Sequence, residues 1–467
     1  MNAPAISPSV TTRLNEIVGA ANVASDFPQL ATYEIDRKLP AAAVRPATSE
    51  EVAEIVKFAA AEKLALVATG ARTKLGIGYA PTRYDLALDM TRLNKVIAYD
   101  PADLTLSVEA GVPLAKIAQL LAEHRQFLPL ALPFSAHTTV GGAIASGVDS
   151  PLRQFYGTAR DFLLGMEFVT GEGVAAKSGG RVVKNVTGYD IHKLMIGALG
   201  TLGVITRVNF KTFPTPLDRR GYVARFFSAE HAFDSCHSFA QSPVAPLSME
   251  IFSPQVAELF TSPAGSRVAE APLPKHTFET GEWSVAVTYA GNEKVMARFM
   301  AELGHSTKPI NIRGLTLFTE ETLPPAWNRQ REFIPIALAS SPATTIVKMS
   351  VLPMRMKDAL AAARQAAETN DLRWAVMARA LGIIYFAILP SDHTEAFRQR
   401  VANVASATQE ACANLAGHAT IPWAPAEWKS ALQIWGPARP DFPQMQKVKA
   451  VFDPQNILSP GRFAPNL

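Results

Sequence analysis

Three glycine-bearing loops hold the residues of this chain whose types and spacing could do chemistry. They span residues 70–78, 133–147 and 179–206. Glycine permits positive φ and a close approach of the main chain, so glycines separated by apolar residues suit a pocket with backbone walls. Such walls indicate a site for a large flat cofactor. The third loop alone could equally be a turn before a strand, but the two upstream loops favour the pocket.

The first two loops also offer donors for an anion. Residues 70–78 lie between predicted strands, and their N–H groups could form an anion-binding nest to which Arg72, Thr73 and Lys74 add donors. An exposed basic turn is the alternative. In the second loop, hydroxyl donors alternate with bare backbone at Thr138, Thr139, Gly141 and Gly142. A helix start capped by threonine is the alternative there.

Two common nucleotide-binding motifs are absent from the sequence. No glycine triplet has G-x-G-x-x-G spacing between a strand and a helix, and Lys74 is not preceded by the glycines of a P-loop. The sequence therefore argues against Rossmann-type and Walker-type phosphate binding.

Periodicity places the loops in a first domain of mixed strands and helices. Residues 48–51 form a capping box ahead of a predicted helix, and the apolar strand 65–68 leads into the first loop. Alternation over residues 204–211 predicts a strand that leaves the third loop. Past the prolines of residues 214–216 the glycine loops cease, which indicates a domain boundary. The Pro-, Ala- and Gly-rich stretch 262–274 predicts an exposed loop.

Composition narrows the class of protein. The 467 residues carry 45 basic and 41 acidic side chains, well mixed, so neither nucleic acid nor an anionic membrane is an expected partner. Cys236 and Cys412 are the only cysteines, too few for an iron-sulfur cluster or a disulfide framework. No signal peptide and no apolar stretch of membrane-spanning length is seen, so we expect a cytoplasmic chain, membrane-associated only through partners.

The three loops, in this order and with residues 108–111 between the first two, resemble the FAD-binding domain of the vanillyl-alcohol oxidase and p-cresol methylhydroxylase (PCMH) flavoproteins. Within that superfamily the sequence is most similar to the FAD-binding subunits of glycolate oxidase, of the E-subunit type. The motifs that carry the resemblance are residues 180–190, 199–204, 417–420 and 452–462.

The resemblance implies an α+β fold with a PCMH-type, two-subdomain FAD-binding domain. The implied organisation is an N-terminal segment (1–38), the FAD-binding domain (39–216), an α+β cap domain for substrate or partner (217–444), and a C-terminal segment (445–467) that returns to the FAD-binding domain.

The resemblance also implies FAD as the cofactor and assigns residues to it. The pyrophosphate would be held by Gly70, Ala71, Arg72, Thr73, Lys74, Leu75, Thr138, Thr139, Val140, Gly141 and Gly142. Ser146, Gly147, Thr158 and Asp161 would lie along the cofactor. The adenosine portion or the dinucleotide backbone would be contacted by Gly200, Gly203, Val204 and Ile205. The redox chemistry would belong to the flavin itself.

The sequence departs from the family pattern at three places. Many members attach the flavin covalently through a histidine of the first loop, but this loop offers Arg72 and no histidine, so we expect non-covalent FAD. Related D-2-hydroxy-acid dehydrogenases carry a metal on a histidine-rich cap motif that residues 379–385 do not reproduce, so no metal site is expected. Ser459 stands where asparagine is common, which bears on a hydrogen bond at the flavin edge.

The implied reaction is oxidation of a small 2-hydroxy acid by hydride transfer to flavin N5, which requires a base for the hydroxyl proton and a clamp for the carboxylate. His418 is the candidate base, because it lies between small residues in a family-like tract. Lys348 and Arg331 are the candidate clamp. A hydrogen-bonded structural histidine and a solvated helix face around Arg331 are the alternatives.

Electrons must leave for an external acceptor, because two cysteines exclude a cluster relay within the chain. The resemblance implies an iron-sulfur partner subunit and a second flavoprotein subunit. We therefore expect the FAD-binding subunit of a glycolate or D-lactate dehydrogenase. The alternatives are a non-catalytic, flavin-holding electron-transfer or scaffold subunit of that complex, and a stand-alone FAD oxidase of alcohols.

Overall fold

The computed structural model describes residues 6–181, 188–268, 271–307, 312–463 and 467. Residues 182–187, part of the third glycine-bearing loop and of its family-like motif, lie outside the described residues. The remainder of each loop lies within them.

The N-terminal domain begins with a four-stranded sheet in the order β1-β2-β4-β3, in which β4 runs parallel to both β2 and β3. Its elements are α1 (Pro8–Val18), β1 (Val23–Ala24), α2 (Phe27–Ala31), β2 (Ala42–Val44), α3 (Ser49–Ala61), β3 (Leu66–Thr69) and β4 (Leu86–Asp89). The predicted helix starts where expected, because the Thr48 hydroxyl accepts from the Glu51 N–H at 3.1 Å. The capping box forms only in part, since the Glu51 carboxylate accepts the N–H of Ala47 at 2.6 Å and not that of Thr48. Val52, Ile55 and Val56 of α3 are buried on the sheet.

A five-stranded antiparallel sheet in the order β5-β6-β10-β8-β9 forms the second half of this domain. The elements of this half are β5 (Val96–Asp100), β6 (Thr105–Glu109), α4 (Leu114–Ala122), β7 (Gln126–Phe127), α5 (Val140–Ser146), α6 (Arg153–Tyr156), α7 (Ala159–Phe162), β8 (Leu163–Val169), β9 (Ala175–Gly179), β10 (Val204–Lys211) and β11 (Phe213–Pro214). Strands β7 and β11 pair with each other, apart from the five-stranded sheet. The strand predicted after the third loop is β10. The two sheets are the two subdomains that the resemblance implied.

An eight-stranded antiparallel sheet forms the cap domain, with strand order β15-β12-β14-β13-β17-β18-β16-β19. Its elements are β12 (Asp218–Phe226), α8 (Ala229–Ala240), β13 (Ser248–Phe252), α9 (Val256–Thr261), α10 (Pro263–Val268), β14 (Trp283–Gly291), α11 (Glu293–Thr307), β15 (Ile312–Phe318), α12 (Leu323–Arg331), α13 (Phe333–Ser340), β16 (Thr345–Ser350), α14 (Met356–Thr369), β17 (Arg373–Arg379), β18 (Ile383–Leu389), α15 (Glu395–Asn414) and β19 (His418–Trp423). The α+β fold class is confirmed.

The two faces of the cap sheet have different neighbours. Helices α8, α11, α14 and α15 cover one face and form a large apolar core with it. The other face packs against α9, α12 and α13 and against four apolar side chains of the N-terminal domain: Ile77, Phe134, Val148 and Leu199. Polar side chains on this second face are therefore enclosed between the two domains.

The C-terminal segment returns to the N-terminal domain, as expected. Helix α16 (Phe442–Phe452) leads to Leu458, which bridges Leu66 in parallel. The Lys449 ammonium donates to the carbonyl oxygens of Thr201 (2.8 Å) and Leu458 (2.9 Å) and to the Asp453 carboxylate (2.5 Å). Burial lowers the pKa of Lys449 despite the nearby Asp453.

One prediction about the cap domain is wrong in part. The sequence predicts an exposed loop over 262–274, but this stretch contains α10, and Gly265 within it is buried. The Ser262 hydroxyl accepts from the Gly265 N–H at 3.2 Å, which supports the first turn of this helix. In the described ranges no helix has the length and apolarity needed to cross a membrane.

Candidate functional site

All three glycine-bearing loops contribute to one cleft in the N-terminal domain. The predicted cofactor-binding residues that line it are Gly70, Ala71, Arg72, Thr73, Lys74, Leu75, Thr138, Thr139, Gly141, Gly142, Ser146, Gly200, Gly203 and Ile205. Met90, Ala110, Leu199 and Arg462, to which the sequence assigned no role at the cofactor, line the same cleft. Loops that are far apart in the chain thus form a single site.

The other predicted cofactor residues lie outside this cleft. Val140 and Val204 are fully buried in the core. Gly147 and Thr158 line a second cavity next to the cap domain. Asp161 accepts the Thr158 N–H at 2.7 Å in the capping box of α7. The side chain of Asp161 therefore has a structural task of its own.

Glycine is required where the first two loops meet. A Cβ on Gly70 would lie 2.0 Å from the Thr139 hydroxyl oxygen, and a Cβ on Gly141 would lie 2.9 Å from the Ala110 Cβ. The hydroxyl oxygens of Thr69 and of Ser459, the latter beside Gly200, are buried without a hydrogen-bond partner in the described structure. Backbone walls with spare hydroxyl groups fit the oxygen-rich FAD that the resemblance implies.

The basic residues of the first loop are not an exposed turn. The Arg72 guanidinium pairs with the Asp89 carboxylate at 3.2 Å and lies over the Tyr33 ring. Lys74 is buried, and its ammonium donates to the Thr138 hydroxyl at 2.7 Å, which links the first two loops. Burial lowers the pKa of Lys74 to about 8, although the charge of Glu332 opposes that shift.

Two residues outside the loops fix their shape. The Arg462 guanidinium donates to the carbonyl oxygens of Leu75 (2.6 Å) and Ile77 (2.7 Å). The Glu332 carboxylate reaches from the cap domain and accepts the N–H of Phe134 at 2.6 Å and the hydroxyl of Ser135 at 3.1 Å. In the sequence, Glu332 is only a neighbour of Arg331 on a helix face that could be solvated, and Arg462 belongs only to the motif of residues 452–462.

A group of charged residues lies between the two domains, which we call the interface cluster. Its members are Asp149 and Arg153 of the N-terminal domain and Glu250, Lys348, Arg379 and Tyr385 of the cap sheet. The Asp149 carboxylate is 2.9 Å from the Lys348 ammonium, 2.9 Å from the Arg153 guanidinium and 3.9 Å from the Arg379 guanidinium. Arg379 pairs with Glu250 at 3.1 Å.

Strand register brings the cap residues of this cluster together. Lys348 lies opposite Tyr385, and Arg379 lies opposite Glu250, on neighbouring strands. Of these residues, only Lys348 is a candidate from the sequence; Asp149 and Glu250 belong to no motif that the sequence shows. A usable signal is the charge of Glu250 in the middle of β13, between Met249 and Ile251.

The electrostatics of the cluster are dominated by burial and by its cations. Burial alone would raise the pKa of Asp149, but Lys348, Arg379 and Arg153 together hold it well below its usual range. Burial raises the pKa of Glu250 against the effect of Arg379. One guanidinium nitrogen of Arg379, Nη1, and Glu250 Oε2 are buried without a hydrogen-bond partner among the described residues. The cluster therefore has unused capacity to bind a polar ligand.

The three candidate catalytic residues are not all in one place. His418 and Lys348 lie on neighbouring strands, where His418 is opposite Ser350 and Lys348 is opposite Thr420, so they share a face of the sheet. His418 is exposed at the start of β19. Partial desolvation of its ring and the charges of Arg439 and Lys348 lower its pKa. Arg331 lines a different cavity, between α4 and the cap domain, and its Nε donates to Glu332 at 3.0 Å.

Two family models match the chain. The FAD binding domain matches residues 40–179, and the C-terminal domain of FAD linked oxidases matches residues 215–418 and 438–463. The chain combines the two domains of an FAD-linked oxidase. This FAD-linked oxidase uses FAD as its cofactor, and the residues of the cleft fit that group.

Curated relatives of this FAD-linked oxidase include subunits and enzymes that are named for hydroxy acids. "Glycolate oxidase subunit GlcD" of Bacillus subtilis is 22% identical over 98% of this chain and 97% of its own length. "Glycolate oxidase subunit GlcE" of Escherichia coli is 37% identical, over 36% of this chain and 48% of its own length. A "D-2-hydroxyglutarate dehydrogenase" of Xanthomonas citri is 34% identical, over 38% of each chain. The expected similarity to an E subunit thus covers about a third of the chain.

Solved structures share the fold of this FAD-linked oxidase. p-Cresol methylhydroxylase matches with a TM-score of 0.77 at 18% identity, over 98% of this chain and 96% of that one. The 4-ethylphenol oxidase of Gulosibacter chungangensis matches with a TM-score of 0.75 at 16% identity, over 100% and 99% of the two chains. These matches confirm the PCMH-type architecture.

Proposed function

We propose that this chain is the FAD-binding subunit of a 2-hydroxy-acid dehydrogenase that acts on glycolate or D-lactate. The observation that carries the proposal is the interface cluster, because it places Lys348 and Arg379 on the face of the cap sheet that packs against the FAD-binding domain. The names of two relatives, which refer to glycolate and D-2-hydroxyglutarate, support the same substrate class.

The FAD is proposed to bind without a covalent bond. The loop over residues 70–78 contains no histidine, and the Lys74 ammonium of that loop is engaged by the Thr138 hydroxyl. Gly70, Gly141 and Gly200 would let the main chain approach the dinucleotide closely. When bound, FAD supplies the acceptor for the hydride that leaves the α-carbon.

The chain's own residues would bind the acid and take its proton. Lys348 and Arg379 would hold the carboxylate, since charge-assisted hydrogen bonds orient such a group strongly. His418 would accept the hydroxyl proton, because its lowered pKa keeps the imidazole neutral near pH 7. Arg331 is not part of this arrangement, because it lines another cavity and pairs with Glu332.

An iron-sulfur subunit and a second flavoprotein subunit are the proposed partners. Cys236 and Cys412 are both buried free thiols, and burial raises the pKa of each. Two such thiols cannot hold a cluster, so electrons would have to pass to another chain. Glycolate oxidase relatives that are named as subunits are consistent with such a complex.

A second function is favoured by a specific contact. Asp149 already pairs with Lys348 and lies near Arg379, so the donors proposed for the substrate carboxylate are occupied. Such occupation is expected in a subunit that holds FAD for electron transfer without oxidising substrate. Anaerobic addition of glycolate or D-lactate to the purified FAD-loaded chain separates the two functions. Bleaching of the oxidised flavin band supports the dehydrogenase, and an unchanged band supports the electron-transfer subunit.

The matched variants for this experiment are Lys348→Met and Lys357→Met. Lys357 lies on the cap surface and pairs with Asp234 there. We expect the first variant to lower the rate of flavin reduction at low substrate by about 100-fold, since loss of one partner of a buried charged contact costs about 2–5 kcal/mol. The second should leave the rate unchanged. Equal rates in both variants would remove Lys348 from the mechanism.

A further inference from the structure

The carboxylate of Asp149 comes from a different domain than two of the cations that surround it. It follows α5 in the N-terminal domain and reaches Lys348 and Arg379 of the cap sheet. The Asp149 backbone carbonyl also accepts from the Arg379 guanidinium at 3.4 Å, and the Tyr385 hydroxyl is 3.5 Å from its carboxylate. A small organic acid offers the same kind of group to the same donors.

The contact is also accessible from outside. Asp149, Arg153 and Lys348 line a cavity of about 270 Å³, and the Lys348 side chain is 24% exposed. One water molecule needs a cavity of only about 10–15 Å³. The space beside the ion pair is therefore large enough for a small carboxylate to enter.

We propose that Asp149 is a built-in competitor: its side chain occupies the carboxylate-binding site formed by Lys348 and Arg379, and a small carboxylic acid binds there only by displacing it. This inference rests on the proposed function for the identity of the ligand. Asp149 would then set the apparent affinity for substrate, since occupation from within reduces the fraction of chains that are competent to bind. Arg153 would hold the displaced carboxylate, because it lies on the same domain as Asp149.

The test uses binding, not turnover. Oxalate, an unreactive small dicarboxylate, is titrated into FAD-loaded wild type, Asp149→Ala and Asp358→Ala by calorimetry. Asp358 is an exposed cap residue that pairs with Arg355. We expect Asp149→Ala to bind oxalate at least about tenfold more tightly than wild type, which corresponds to the release of one charge-assisted hydrogen bond. Asp358→Ala should match wild type.

A second measurement checks the site itself. Formate should raise the midpoint of thermal unfolding of Asp149→Ala, because it refills the vacated position, and should have little effect on wild type. Both gains should vanish in the double variant Asp149→Ala/Lys348→Met. If Asp149→Ala does not fold, Asp149→Asn, which keeps the shape and removes the charge, is titrated with oxalate and should also bind it more tightly than wild type.

The outcomes separate this inference from the proposed function. Tighter oxalate binding without flavin reduction by any hydroxy acid would support the competitor and overturn the dehydrogenase. Flavin reduction that depends on Lys348, together with unchanged oxalate affinity in Asp149→Ala, would support the dehydrogenase and overturn the competitor. In that case Asp149 only joins the two domains.

Discussion

Substitution of Gly70 by alanine should weaken FAD binding through a single contact. The added Cβ would lie 2.0 Å from the Thr139 hydroxyl oxygen, far inside van der Waals contact, so the first two loops must move apart. Overpacking of this kind costs about 1–3 kcal/mol. If the whole cost falls on the FAD-binding conformation, the Kd of FAD rises by about 5-fold to 150-fold.

The same loop supplies the matched control. A Cβ on Gly76 would meet no atom within 4 Å. Gly76→Ala should therefore bind FAD as wild type does. Thr139→Ala offers a compensating change, because it removes the hydroxyl oxygen and leaves the Thr139 Cβ, at 3.1 Å, as the nearest atom. The double variant Gly70→Ala/Thr139→Ala should recover a large part of the lost affinity.

The assay is titration of the apoprotein with FAD, followed by flavin fluorescence, in wild type and the four variants. The reasoning fails if Gly70→Ala and Gly76→Ala bind FAD equally well, because the close approach of the two loops would then have no role in the site. It also fails if Thr139→Ala restores nothing, because the contact with Thr139 would not be the cause.

Three further predictions concern other residues of the described structure. Between about pH 8 and 10.5, the free energy of unfolding of wild type should rise relative to that of Lys74→Met, by at most about 3 kcal/mol. The reason is that burial lowers the pKa of Lys74 in the folded chain to about 8, so the unfolded chain binds more protons in this range. Parallel pH profiles of the two proteins in urea unfolding would contradict this. Lys449→Met should lower the free energy of unfolding by about 3–5 kcal/mol, because it leaves the buried Asp453 carboxylate without its cation. In the same urea assay, Lys447→Met, on the exposed side of α16, should leave that free energy almost unchanged. If His418 is the base, the rate of flavin reduction should rise with pH, with a midpoint below the usual histidine pKa of about 6.5, because the pKa of His418 is lowered. His418→Gln should abolish that pH dependence, and an unchanged profile would exclude His418.

Local patterns predicted the parts of the fold that local chemistry decides. The cap of α3, strand β10 and the glycine-bearing loops all follow from residue types at short spacing. The eight-stranded sheet was not predicted, because its strand order joins segments that are distant in the chain. The contact of Glu332 was not predicted either. A charged residue next to Arg331 is expected to be solvated, but Glu332 is 6% exposed and accepts an N–H of the second loop.

The interface cluster is a second part of the structure that short sequence patterns could not predict. Lys348 could be proposed from its residue type, but its partner Asp149 lies in another domain, and only the tertiary structure sets the 2.9 Å separation between them. In sequence, Arg379 stands out only as part of residues 379–385, which do not reproduce the histidine-rich metal motif. Its contacts with Glu250 and Asp149 depend on strand register and domain packing, which no short motif encodes.

Each domain contributes one carboxylate that binds the other domain, and the two contacts lie on either side of α5. Glu332 of the cap domain binds the loop before this helix, and Asp149, which follows the helix, binds the cap sheet. Thr139, Gly141 and Gly142, which line the cofactor cleft, lie at the start of the same helix. Because the cap domain holds the segment at both ends, a change in cap position must move the cofactor-binding residues. FAD binding and cap seating should therefore be coupled, and ligands that displace Asp149 should alter the affinity for FAD.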